Sequence, residues 1–292
     1  MQSARSGICR YSARTACSSA VTKMQGTLLY TNSSSLPADR WEFSVEHNKK
    51  FCMIPKIIHY CWFGSNKKPR KVRKCIATWK KLLPDYEFIE WNEDNFDINM
   101  IEYAKDAYNE KKYAFVSDVA RLYALLQIGG IYMDTDVELL KPLDPFLNHR
   151  AFCGFESENF LSTAMIGAEK GSEWIKDCWN LYDGRHFVRK DGTLDMSTNV
   201  RLFTRLTREK VNLRFDNSFQ DYDGYLTIYP IDYFSPLDCE TKILRKTSRT
   251  VCIHHFEGSW LTPLIKEVGF WKYLRIKLAV RSRIMKLFER KQ

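Results

Sequence analysis

The 292-residue sequence has no long apolar run. No apolar run reaches the roughly 18 residues of a membrane-crossing helix, and the opening stretch "MQSARSGICRYSARTACSSA" has no apolar core suited to a secretory signal. The nine cysteines are odd in number and include no CxxC pair, which argues for a reducing compartment. Absent too is a basic body. Lys and Arg outnumber Asp and Glu by seven to three over residues 1–52 and by nine to two over residues 266–292, but not over 53–265, where the counts are 29 and 30. A nucleic-acid binder would carry its excess on the folded domain, so nucleic acid is excluded as a partner. An anionic membrane surface met by the C-terminal tail fits better. These absences lead to an expectation of a cytoplasmic protein, peripheral at the inner face of the cytoplasmic membrane.

What is present is enough for a large core. With 45% hydrophobic and 14% aromatic residues, the chain suits one α/β domain with extensions. Residues 1–52, rich in Ser, Thr, Ala and Arg and without periodicity, read as a disordered lead, and Met53 as the natural start. From there the pattern alternates. "KIIHYCWF" reads as a strand ending at Gly64, "PRKVRKCIATWKKLLP" as an amphipathic helix carrying Val72, Ile76, Trp79 and Leu83, and "YEFIEWN" as a second strand. One or two helices follow over "NMIEYAKDAYNEKKYAFVSDVARLYALLQIGG", closed by a Gly pair that suits a helix C-terminus, and then the strand "IYMDTDVELL". This order implies a parallel sheet with helices on its faces, and ligands bind beyond the carboxyl ends of such strands.

Two carboxylates stand at one such end. Asp134 and Asp136 are i and i+2, so on an extended strand they face the same way and converge on one ligand; hard oxygen ligands suit Mg²⁺ or Mn²⁺. A bare DxD is a short pattern, equally compatible with solvated strand-end aspartates or an Asx turn. Haloacid-dehalogenase-like phosphatases place a nucleophilic aspartate in a DxDx(T/V) pattern. Here Glu138 stands where that pattern wants Thr or Val, and the motif lies far from the first strand.

The surroundings of the pair carry a resemblance. "SDVARLYALLQIGGIYMDTDVELLKPL" resembles the signature of glycosyltransferase family 32, the DXD sugar transferases that include capsular-polysaccharide enzymes and yeast mannosyltransferases. Ser117-Asp118, Arg121, Gly129-Gly130 and the DxD match together, within a likeness that runs from about Ile54 to about Trp260. The resemblance implies a GT-A type, Rossmann-like nucleotide-sugar-binding fold over 53–265. It also implies a retaining, metal-dependent transfer from a nucleotide-diphosphate donor, UDP-sugar favoured, to a surface polysaccharide or lipid-linked glycan of bacterial capsular type.

Roles follow the matching positions. Trp62, in "IIHYCWFG", is the implied stacking platform for the base, with Gly64 admitting a ligand close to the backbone; His59 reads as a packed core histidine. Asp118 and Arg121, one helical turn apart, are implied to meet the donor sugar and its phosphate, although a surface ion pair has the same spacing. Asp134 is implied to contact the ribose or a metal-bound water and Asp136 the Mn²⁺ (or Mg²⁺) itself. In "CIHHFEGSW", "HFEG" resembles the HxxG element that completes a metal shell, so His255 is the expected ligand before His254, and Ser259 and Trp260 are the expected diphosphate contacts. Glu156 reads as a surface glutamate. Where bacterial relatives carry an Asn ahead of "iGA", this chain has Ser162, Thr163 and Ala164.

The tail "FWKYLRIKLAVRSRIMKLFERKQ" fits an amphipathic helix over 266–292, with Lys272, Arg275, Arg283, Lys286 and Arg290 on one side and Trp271, Leu274, Leu278 and Met285 on the other. Packing on the domain and binding at an anionic membrane are both open to such a helix. Against the transferase stand two alternatives, the phosphatase and a noncatalytic membrane- or glycan-binding module. Retention of Trp62, Asp118, Arg121, Asp134, Asp136 and His255 as a set argues against the degenerate module.

Overall fold

Apolar runs form strands and amphipathic stretches form helices throughout residues 54–258, the part of the chain that the computed structural model describes. The first strand, β1 (Ile57–Cys61), leads to α1 (Arg70–Leu82), which buries Val72, Cys75, Ile76 and Trp79. Then come β2 (Glu87–Trp91), α2 (Glu102–Asn109), α3 (Tyr113–Gln127), β3 (Gly130–Met133), β4 (Val137–Leu139), β5 (Ala151–Ser157), β6 (Phe160–Leu161) and β7 (Met165–Ala168). The remainder is α4 (Glu173–Asn180), α5 (Asn199–Lys210), β8 (Gln220–Tyr222), β9 (Leu226–Tyr229), the single turn α6 (Ile231–Phe234) and β10 (Cys252–His254). The expected disordered lead over 1–52 and the basic helix over 266–292 lie outside the described residues. Among the described residues no helix is long and apolar enough to cross a membrane, and the six cysteines are free thiols, five of them buried.

The main sheet runs β2-β1-β3-β7-β5-β9-β8, with β6 paired to β5. It is α/β as expected, but mixed where the sequence pattern suggests a parallel sheet. β1 pairs parallel with β2 and β3, and β5 with β9, whereas β7 enters antiparallel between β3 and β5. The reason is connection length: the parallel neighbours are joined through helices, while β5, β6 and β7 follow one another through links too short for a crossover. Side chains of successive strand residues serve opposite faces. Ile58, Tyr60, Ile131 and Met133 join the cluster under α1, and Cys61 and Tyr132 the cluster under α2 to α5.

Two local features fix the strand ends that matter. Gly129 has φ +79° after the last turn of α3, and its N–H donates to the Leu125 carbonyl, the αL ending expected of the Gly pair. His59, fully buried, donates from Nε2 to the Gly129 carbonyl at 2.8 Å and accepts at Nδ1 from the Trp91 indole at 3.2 Å. It is the core histidine that the sequence suggests, and burial holds its pKa below the ordinary value.

The second feature is a small ladder off the main sheet. β10 pairs antiparallel with β4, setting His254 opposite Val137 and Cys252 opposite Leu139. Trp79, with no exposed surface, holds this ladder to α1 by donating its indole N–H to the Val137 carbonyl at 2.7 Å. Trp79→Ala would empty that volume and orphan the carbonyl, so denaturant unfolding should show a loss of about 3–5 kcal/mol. A loss below ~1 kcal/mol would mean that the ladder is held elsewhere.

Candidate functional site

β3 does not run through the DxD. It stops at Met133, and residues 134–136 turn, closed by the Val137 N–H donating to the Asp134 carbonyl at 3.0 Å, before β4 begins. The two aspartates therefore converge through a turn, not through the two-residue period of an extended strand. The Asp134 N–H donates to the Ala164 carbonyl at 2.8 Å, which ties the turn to the segment leading into β7. On the other side, the Asp136 carboxylate accepts from the Glu257 N–H at 2.9 Å and its carbonyl from the His255 N–H at 3.1 Å.

The expected histidine is displaced by one position. His255 Nε2 lies 2.9 Å from Glu138 Oε2, away from the pair, whereas His254 Nε2 is 3.5 Å from Asp136 Oδ1. Strand alternation decides this: His254 shares a face with buried Cys252, and His255 takes the opposite one. The HxxG resemblance picks His255 by position, whereas the structure brings His254 to the aspartates. Asp134, Asp136 and His254 each offer a ligand atom, all within 4.8 Å of one another. The His254 Nδ1 is buried with no hydrogen-bond partner, and Phe256, at φ +50°, packs its ring against the imidazole at a tilt of 39° with centroids 3.9 Å apart.

Beside this trio stands a buried ion network. Arg121 Nη2 donates to Asp118 Oδ1 at 2.9 Å and lies 3.4 Å from Asp134 Oδ1; its Nη1 donates to the Thr163 carbonyl at 2.7 Å. Its guanidinium rests 4.4 Å from the centre of the Tyr132 ring, and the Tyr132 hydroxyl donates to Asp134 at 2.8 Å. With only 4% of Arg121 and 8% of Asp118 exposed, the surface ion pair is excluded. The fork of Arg121 is spent on the protein's own carboxylates and a carbonyl instead of standing open for a donor phosphate.

Several members of the site were not foreseen. Asn199, the first residue of α5, donates from Nδ2 to Asp118 at 2.7 Å and accepts from the Thr163 hydroxyl at 3.0 Å. Thr163 thus occupies the network at the segment where the chain departs from the bacterial pattern. A polar residue opening a helix was the only signal for Asn199. Glu156, read as a surface residue, stands one residue before the end of β5, half-buried within electrostatic reach of Asp134, Asp136, Arg121 and His254. Nothing in "FCGFESENF" tells which end of the strand meets the site; the sheet order does.

The charges do not balance. Four carboxyls (Asp118, Asp134, Asp136 and Glu156) gather around Arg121 and His254, with Arg185 acting on Asp118 as well. The shifts reflect this deficit. Burial, opposed by Arg121, lifts the Asp118 carboxyl to about 7; burial, reinforced by Asp134 and Asp136, does the same for Glu156. For His254, burial disfavours the imidazolium, but Asp136, Asp134 and Glu156 outweigh it and raise the ring to about 9. Burial likewise opposes ionisation of Asp136, yet His254 and the Glu257 N–H hold its carboxyl well below the ordinary range.

Trp62 stands just past β1, half-buried, with its indole N–H donating to the Asn66 carbonyl at 2.7 Å and Lys68 Nζ 5.5 Å from its ring centre. The space left by Gly64 is not a ligand's. At φ +82°, a Cβ there would meet the Tyr113 ring at 2.5 Å, so the glycine makes room for Tyr113. Ser259 and Trp260 lie outside the described residues. Lys71 pairs with Glu257 in the loop that leads toward them.

The family model described as a glycosyltransferase sugar-binding region containing a DXD motif matches residues 69–153. The chain is 38% identical over 200 residues to the uncharacterized glycosyltransferase L373 of Acanthamoeba polyphaga mimivirus, covering 64% of this chain and 77% of that protein. It is 29% identical over 137 residues to inositol phosphoceramide mannosyltransferase 3 of Schizosaccharomyces pombe, covering 44% of this chain and 37% of the relative. The chain thus spans little more than a third of that yeast protein's length. Among solved structures it is similar to the PaToxG glycosyltransferase, with a TM-score of 0.42 and 20% identity over 55% of this chain and 71% of the other.

The His254–Asp136 pair makes stability depend on pH. With His254 raised to about 9 from an ordinary 6.5, its contribution in the metal-free chain is complete below about 6.5 and is lost as pH rises through about 9. Asp136, held low, loses its share only in strong acid. In EDTA, the melting temperature should therefore fall between pH 6.5 and 9.5, by a loss on the order of 3 kcal/mol, and His254→Gln should flatten that fall. Parallel curves for the two proteins would show that the pair is not formed.

Proposed function

Because the chain belongs to the glycosyltransferases built around a DXD sugar-binding region, we propose that it transfers a sugar from a nucleotide-diphosphate donor to a hydroxyl of a glycan or lipid-linked acceptor. The observation that carries this reading is the convergence of Asp134, Asp136 and His254 beside the buried Asp118–Arg121 network. Membership in that family also sets aside the phosphatase, for which Glu138 is already the wrong residue.

The donor set fits a divalent cation: two carboxylates and an imidazole offer ligand atoms that all lie within 4.8 Å of one another. Asp134, Asp136 and His254 would hold the ion. An imidazole among carboxylates favours Mn²⁺ over Mg²⁺, which prefers oxygen alone. When bound, the ion supplies charge stabilisation for the departing diphosphate.

The chain's own residues do the rest. Trp62 offers its ring to the base at the carboxyl end of β1. Arg121 is a positioning residue that holds Asp118 and Asp134 in one geometry, and Asp118, with Asn199, faces the sugar hydroxyls. Glu156, half-exposed near the end of β5, receives the acceptor hydroxyl. The donor is a UDP-sugar or, as the names of the mannosyltransferase relatives suggest, a mannosyl donor. Those names also favour a lipid-linked acceptor over a capsular polysaccharide. Retention of the anomeric configuration belongs to the same reading, as does attachment of the basic segment 266–292 to an anionic membrane.

The test is hydrolysis of UDP- and GDP-sugars with Mn²⁺ or EDTA. One donor should be hydrolysed only with metal. Asp136→Ala and His254→Ala should each lower the rate by more than the roughly 10–100-fold typical of outer-shell changes, and His255→Ala should cost far less. Equal losses in the two histidine variants would contradict this ligand set, and phosphate release from simple esters without any sugar-donor turnover would contradict the transferase. Glu156→Gln should spare donor hydrolysis and lower transfer to an acceptor.

A further inference from the structure

Helix α5 links the site to a groove that the proposed reaction leaves unused. Its first residue, Asn199, is bonded to Asp118; Arg201, Arg205 and Arg208 follow at helical spacing on one face, roughly 3, 9 and 14 Å further along the axis. This face lines a groove of about 640 Å³ with Phe160, Leu213 and Phe215, and no carboxylate lines it. Phe160 lies just beyond the turn that follows Glu156 and Ser157, so the hairpin of β5 and β6 borders the site on one side and the groove on the other. Arg201 has its guanidinium 5.9 Å from the Phe160 ring centre. Arg205 makes one long contact, 3.8 Å, with Glu209.

Helix physics does not call for this arrangement. The macrodipole favours a cation near the last turn, where Arg208 stands, but disfavours one in the first turn, where Arg201 stands. Three forked guanidinium groups on one face of a groove suit the oxygens of a phosphate. The apolar lining extends outward: Phe215 is 38% exposed and Phe219, in the same loop, 51%. Exposed rings beside a row of guanidinium groups suit a phosphate at a bilayer surface better than one free in water.

We propose that this groove is an acceptor subsite that takes the phosphate headgroup of a membrane-borne acceptor while the acceptor's hydroxyl reaches Glu156 on the other side of the β5–β6 hairpin. The inference rests on the transferase reading, whose failure would show separately. The test compares the full chain with R205E/R208E in two assays: metal-dependent hydrolysis of the nucleotide sugar, and flotation with vesicles of phosphatidylcholine alone or mixed with phosphatidylglycerol. The basic C-terminal segment is common to both proteins, so their difference reports the groove.

Equal donor hydrolysis and at least tenfold weaker binding of the variant to the phosphatidylglycerol vesicles are expected, with binding partly restored in R205K/R208K, which keeps the charge without the fork. Undiminished flotation of R205E/R208E would overturn the proposal. Displacement of the vesicles by soluble glycerol 3-phosphate at equal concentration would overturn the lipid source, leaving a site for free phosphate. Absence of donor hydrolysis from both proteins, with the flotation difference intact, would defeat the transferase reading and uphold the groove.

Discussion

The arrangement depends on one buried guanidinium. Arg121 holds Asp118, Asp134 and the Thr163 carbonyl at once, and rests on the Tyr132 ring. A charge so enclosed is tolerable only when its donors are satisfied and an opposite charge lies close. Meeting that condition draws together α3, the turn after β3, the segment before β7 and, through Asn199, the start of α5. The geometry of the site follows from satisfying Arg121 more than from any single strand.

A second constraint is the excess of carboxyls over cations. A folded domain that leaves acidic groups near one another in low dielectric is destabilised unless they bind protons or positive charge. The chain responds with raised carboxyls at Asp118 and Glu156 and a raised imidazole at His254, three ways of lowering the same repulsion. Proton uptake is thus this chain's own answer to the electrostatic problem.

Position in the sheet gives the site its two sides. The carboxyl end of β1 presents Trp62 and that of β3 the DxD turn, on the parallel half of the sheet, while β5 brings Glu156 from the other half. Between them β7 runs antiparallel, so that the segment before it, carrying Thr163 and Ala164, closes the floor of the site. The two halves of the sheet thus bring different residues to the site, Trp62 and the DxD turn from one and Glu156 from the other. The row of arginines on α5 continues the second side outward.

The sequence by itself determined the local pieces. The apolar strands, the amphipathic α1, the Gly ending of α3, the core role of His59 and the pairing of Asp118 with Arg121 are all set by spacings of a few residues. The DxD was visible as a pair, although its geometry is a turn. Only the tertiary structure decided which of two adjacent histidines joins the aspartates, because β10 meets β4 across more than a hundred residues and the pairing chooses the face. It likewise decided that Glu156 borders the site, that Asn199 completes it and that Gly64 serves Tyr113. Each of those outcomes is a contact between segments far apart in the chain. A short pattern fixes which side chains share a face, but only the packing of one element on another fixes what that face meets.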